Sequence, residues 1–161
     1  MFMRLTHWVS KAFVKDVLKG EGKIRSDERL TMKPTGFWLS VNNSWEEWIE
    51  GNWDSWLEGK VCLEAELSKD INLFIIDTKK TFLDEFEKLT GHKYLSMGII
   101  DKFTLTKFFH EKLKEHYDGA WLKDEPFWKH RLDGDFMYFY SWDCESIVVW
   151  NKEKIKFKKV N

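Results

Sequence analysis

The sequence holds little cysteine, no long apolar run and almost no net charge, and each of these absences removes a class of function. Cys62 and Cys144 are the two cysteines in 161 residues. They lie far apart and make no metal-ligand spacing, so they read as reduced thiols of a cytoplasmic protein. The five histidines, His7, His92, His110, His116 and His130, have no ligand spacing either, which argues against a metal-dependent hydrolase. Nowhere do eighteen apolar residues run together, and the opening MFMRLTHW has no apolar core of signal-peptide length. The chain is therefore expected neither to span a membrane nor to be exported by a standard signal. Twenty-six basic residues against twenty-seven acidic ones give a formal charge of −1, so no global basic field points to nucleic acid. The basic stretches 129–131 and 152–159 are local and read first as solvated faces. There are no internal repeats and no low-complexity linker. The chain is read as one domain, residues 1–161, long enough to bury roughly 70% of its unfolded surface.

What the chain has in abundance is aromatic side chains. Hydrophobic content of 43% and charged content of 33% are those of a soluble globular protein, but ten Trp and thirteen Phe are unusual. Part of that area can serve as a stacking surface for a planar ligand rather than as core. The chain is organised around residues 33–56, KPTGFWLSVNNSWEEWIEGNWDSW. Pro34 and Gly36 mark a turn, residues 37–40 a short strand and residues 41–43 a loop. Ser44 and Glu47 have the spacing of a capping box that opens a helix. Trp45, Trp48, Ile49, Trp53 and Trp56 recur at roughly helical spacing, with Gly51 weakening the middle. These indoles read first as core; the strand before them aims Trp38 and Ser40 at whatever lies beside it.

Elsewhere the pattern predicts strands over 3–10, 60–66, 73–76 and 117–122, and helices over 81–89 and 103–116, the first ended by Gly91. Residues 11–32 read as a short helix and a loop through Gly20 and Gly22. Asp133–Gly134 is a hairpin signal, and from Phe136 onward residues alternate, with Phe136, Tyr138, Tyr140, Trp142, Cys144, Val148 and Trp150 core-facing. On such a strand Asp143 and Glu145, two apart, project to one side. The fold class is α+β, with a mostly antiparallel or mixed sheet and flanking helices.

Three polar clusters flanked by strands stand out: residues 6–10 (Thr-His-Trp-Val-Ser), 38–40 (Trp-Leu-Ser) and 143–145 (Asp-Cys-Glu). Each has an ordinary reading as structural histidine, turn serine or wet sheet face. Gathered at one cleft they would bind a sugar, stack on a planar ring and stabilise positive charge at a sugar carbon. Their order resembles the histidine-type branch of the small mono-ADP-ribosyltransferases, related to bacterial and phage toxins and effectors. LTHWVS at 5–10 is similar to that family's first-strand motif, with Trp8 where the family has glycine. Residues 33–40 resemble its second strand, which ends in serine before a helix and often carries a tyrosine absent here. Residues 61–86 resemble its next strand, turn and helix. YDGAW at 117–121 and ESIVVWNKEKIK at 145–156 resemble its closing strands and catalytic glutamate.

The resemblance implies two packed, mostly antiparallel or mixed sheets enclosing an NAD cleft. It also implies transfer of ADP-ribose from NAD+, as co-substrate, to a macromolecular acceptor. His7, with Ser10, would hold the adenosine-side ribose, the backbone at Trp8 the nicotinamide amide, and Phe37 or Trp38 the nicotinamide ring, with Ser40 nearby. Glu145 would stabilise the oxocarbenium-like transition state and Asp143 would orient the acceptor. The acceptor is RNA, DNA or protein, with a slight lean to nucleic acid from the local basic patches. A toxin or phage-defence enzyme of this kind requires a neutralising antitoxin protein in its own host. The reading set against it is a non-catalytic interaction or inhibitor protein with an exposed aromatic surface. RNA 2′-phosphate transfer to NAD+ would need basic groups beside His7 or Ser40, and the sequence places none there.

Overall fold

A computed structural model of the chain describes residues 3–22, 32–50 and 54–160. Among the described residues seven strands are formed: β1 Leu5–Ser10, β2 Phe37–Val41, β3 Lys60–Leu67, β4 Leu73–Ile76, β5 Gly119–Leu122, β6 Ser146–Val149 and β7 Ile155–Lys159. Five α-helices accompany them: α1 Val14–Leu18, α2 Ser44–Ile49, α3 Lys79–Thr90, α4 Ile99–His116 and α5 Asp124–His130. The strands make one mixed sheet in the order β4-β5-β6-β2-β1-β3-β7. Only the pair β4–β5 is parallel, and α3 and α4 supply the crossover that a parallel pair requires. Among the described residues no helix is long and apolar enough to cross a membrane.

The α+β class is thus observed, while the expectation of two packed sheets is corrected to a single sheet. Its two halves are nevertheless weakly joined. β1 meets β2 only at Leu5↔Val41 and Thr6↔Ser40, yet it continues along β3 as far as Ser10↔Lys60. Beyond Thr6 the two central strands part, and the Trp38 carbonyl accepts from His7 Nδ1 at 2.9 Å.

Each face of the sheet carries a core. On one, Phe74, Ile76, Ala120, Leu122 and Val148 pack beneath α3 and α4, with Phe82, Phe86, Phe109, Phe136, Tyr138 and Trp142 filling the space between. On the other, Leu5, Val9, Phe37, Leu39, Leu63, Ile147 and Val149 pack with Val17 of α1. Alternation along each strand divides these sets. Gly119 is required by close approach: a Cβ there would stand 2.4 Å from the Val148 carbonyl oxygen. α3 begins under the Thr78 side chain, which accepts from Thr81 N, and ends at Gly91 in the left-handed conformation, φ 74°.

Three local expectations are corrected. The capping box does not form: Asn42 and Asn43 take positive φ, so Asn43 is the N-cap. The Ser44 hydroxyl instead donates to the Glu145 carbonyl at 2.6 Å and accepts from Val41 N, and Glu47 is exposed. No hairpin forms at Asp133–Gly134. Residues 136–142 are not a strand either, because Phe136, Tyr138, Phe139 and Trp142 are all buried while Met137 and Tyr140 are exposed. That is burial at helical spacing, and Phe139–Trp142 is a 3-10 turn. Trp53 and Gly51 lie outside the described residues.

The core under α4 contains a titratable pair. His110 Nε2 lies 2.9 Å from the Tyr138 hydroxyl, and burial, reinforced by Lys114, pushes the imidazole down to about 3 from 6.5. A histidine held neutral in the fold destabilises it on acidification, because the unfolded chain binds a proton that the native one refuses. Stability is full above pH 6.5 and falls below it, by about 2 kcal/mol on reaching about pH 5. Urea titrations across that window should show the loss in wild type and a flatter limb in His110→Gln.

Candidate functional site

Where β1 and β2 part, a cleft of about 410 Å³ opens, within the range of small-molecule sites. β1 contributes Thr6, His7 and Trp8, β2 contributes Trp38, Leu39 and Ser40, and Ser146 comes from the start of β6. Trp45 of α2, Trp56 and Trp142 complete aromatic walls, and Lys33 and Asp143, paired directly with each other, also line the cleft. Trp38 and Trp142 meet edge to face at 4.9 Å. Trp45 stacks on Trp48 at 5.1 Å and meets Trp56 edge-on. Of the nine tryptophans among the described residues, only Trp128 is exposed, so the indoles turn mainly inward.

Of the residues singled out from sequence, His7, Trp8, Trp38, Ser40 and Asp143 line this one cleft. The other three do not. Ser10 is exposed at the far end of β1. Phe37 packs on the opposite side against His7 and Phe157, at 5.8 and 5.3 Å between ring centroids. The Glu145 carboxylate accepts from Trp121 Nε1 at 2.9 Å, and Trp121 belongs to the core of the face opposite the cleft floor. Burial raises the Glu145 carboxyl, and the Trp121 N–H partly offsets it. The expectation that Asp143 and Glu145 share a strand face is therefore corrected: Asp143 precedes β6 in a turn, and the two carboxylates diverge.

That turn is unusual. Asp143 has φ 67° and ψ −41°, and Cys144 N donates to Trp142 O at 2.8 Å. This is the rare γ-turn, a strained conformation for any residue with a Cβ. Trp142, 1% exposed, anchors one side of it, and the ion pair with Lys33 holds the carboxylate in the cleft. The Lys33 ammonium also sits over the Trp38 ring, 5.3 Å from its centroid. Asp143→Gly should relieve the strain and raise stability by about 1 kcal/mol in urea while emptying the cleft of that carboxylate. Equal or lower stability would show that the turn is relaxed.

His7 is positioned by its neighbours. The Trp38 carbonyl can only accept, so Nδ1 carries the proton, while Phe37 and Phe157 pack on the ring. Burial lowers its pKa, and the bond to Trp38 only partly counters this. The imidazole is thus neutral at physiological pH, with Nε2 as an acceptor.

Sequence reasoning missed Glu46. One carboxylate oxygen accepts from Thr6 Oγ1 and Trp8 Nε1, both at 2.9 Å, and the other from Ser40 Oγ at 2.7 Å. Burial pushes this carboxyl up, yet the donors led by Ser40 and Trp8 outweigh it and the pKa lies below the usual range. The one available signal was the tight Asn42–Asn43 turn, which folds α2 back over the strand bearing Ser40. Thr6 was marked only as part of the 6–10 cluster, without a role, and Lys33, Trp142 and Ser146 were given none. Scans of family models, curated proteins and solved structures return no match to this chain.

Proposed function

We propose that this cleft binds NAD+ and that the protein transfers ADP-ribose from it to a macromolecular acceptor, releasing nicotinamide. The observation that carries the reading is the convergence of His7, Trp8, Trp38, Ser40 and Asp143 on one cleft at the parting of β1 and β2. Its chemistry suits the ligand. The nicotinamide ring of NAD+ is planar and cationic, and indole faces attract such a ring by stacking and cation–π interaction. The hydroxyls of Thr6, Ser40 and Ser146 suit a ribose.

In the proposed reaction the bond between ribose carbon and pyridinium nitrogen breaks. Nicotinamide leaves with the electron pair as a neutral molecule. An acceptor nucleophile then bonds to that carbon and gives up its proton. Positive charge grows on the ribose, and Asp143, the carboxylate lining the cleft, is the group placed to stabilise it. This assigns to Asp143 the role that the family resemblance gives to Glu145. The ADP-ribosyltransferase fold, the identity of the acceptor as nucleic acid or protein, and a neutralising partner belong to the same proposal.

Titration with NAD+ under tryptophan fluorescence tests the binding step. Saturable quenching, competed by nicotinamide and weakened about tenfold or more in Trp38→Ala, is the expected result. Fluorescence that ignores both ligands would remove the reading.

A further inference from the structure

The floor of the cleft is a single row of hydroxyls. Thr6 of β1 stands directly across from Ser40 of β2, and Ser40 directly across from Ser146 of β6. The three therefore sit side by side on one face of the sheet, and all three line the cleft. A hydroxyl has one hydrogen and two lone pairs, so the polarity it shows a ligand depends on where that hydrogen goes. Here each hydrogen is committed inward. Thr6 and Ser40 donate to the Glu46 carboxylate, which can only accept. Ser146 Oγ donates to the Cys144 carbonyl at 3.1 Å, which likewise can only accept. Ser40 also accepts from Trp45 N at 3.0 Å, which leaves one lone pair on its oxygen.

We propose that this row makes the cleft floor an array of acceptors that selects a hydrogen-bond donor, and that Glu46 is the positioning residue that sets this polarity. The chemical class it takes is a planar ring or sugar presenting N–H or O–H groups, such as a primary carboxamide or a vicinal diol. A carboxylate or phosphate oxygen brought to the same row would meet lone pairs, with the Glu46 charge hydrogen-bonded to two of the three hydroxyls. Among the described residues no lysine or arginine forms an ion pair with Glu46. Lys33, the cation of this cleft, is engaged with Asp143. The inference deepens the NAD+ reading and rests on it for the natural ligand: it predicts that the carboxamide form is accepted and the corresponding acid refused. Through Trp8 Nε1 the same carboxylate pins the indole that replaces glycine in the family motif, keeping it as wall.

The test compares NAD+ with nicotinic acid adenine dinucleotide by calorimetry, on wild type and Glu46→Gln. Wild type should prefer the amide by about tenfold or more. Glu46→Gln, which turns an amide N–H toward the row and frees hydroxyl hydrogens, should reduce the preference to within about threefold while melting cooperatively. Equal affinity in wild type, or a preference that survives in Glu46→Gln, overturns the inference. If neither dinucleotide binds, the NAD+ reading falls, and benzamide against benzoate, followed by saturation-transfer NMR, decides the inference by itself. Preference for benzamide that weakens in Glu46→Gln sustains the acceptor row. Preference for benzoate, a preference for benzamide unchanged in Glu46→Gln, or binding of neither removes it.

Discussion

Asp143→Asn should slow nicotinamide release from NAD+ by 10²–10³-fold, roughly the worth of one preorganised group facing developing charge. The affinity for NAD+ should change by less than about threefold, because the amide keeps the shape of the turn and the loss falls on the transition state. Glu145→Gln is the matched control. Its carboxylate bonds Trp121 on the other side of the sheet, so release should stay within about twofold of wild type. The reverse pattern, with Glu145→Gln inactive and Asp143→Asn active, would return the role to the residue the sequence resemblance favours. It would require the Glu145 side chain to swing to the opposite face on binding.

Phe82→Ala should cost about 3–5 kcal/mol in urea unfolding, the range for deleting a large buried aromatic. Phe82 is fully buried. Its ring lies 4.2 Å from that of Tyr138 between centroids, and 5.1 to 5.5 Å from those of Phe136, Tyr94 and Phe109. It therefore joins α3, α4 and the 136–142 segment in one cluster. Phe82→Leu, which keeps much of the volume, should cost under about 1.5 kcal/mol. A small effect of the alanine change would mean that the segment behind Asp143 is held by something other than this packing.

The sheet and the long helices were legible because their signals are local. Alternation in KVCLEAE, the periodicity of residues 103–116 and Gly91 at a helix end each report a backbone state that neighbouring residues alone decide. The last third was not. Phe136, Tyr138 and Trp142 fit a strand's parity as well as a buried irregular segment's, and Phe139, also buried, breaks the parity only once the fold is known. The capping box failed for a similar reason: Asn43 is as good an N-cap as Ser44, and the Glu145 carbonyl, distant in sequence, claims the serine.

The cleft divides along the same line. His7, Trp8, Trp38 and Ser40 were visible as polar or aromatic breaks in strands whose pairing brings them together. Glu46 was hidden, since a glutamate in a first helical turn has an ordinary explanation in the helix dipole. Its bonds to Thr6, Trp8 and Ser40 exist only through β1–β2 pairing. Glu145 was misleading because its neighbour Ser146 does line the cleft, and strand alternation sends adjacent side chains to opposite faces.

The measurement that bears most directly on the proposed activity is transfer of labelled ADP-ribose from NAD+ into cell lysate, followed separately in protein and nucleic-acid fractions. Label in one fraction with wild type, and its loss in Asp143→Asn, is the result expected, and the labelled fraction identifies the acceptor class. No label, with NAD+ neither bound nor consumed, would contradict the account.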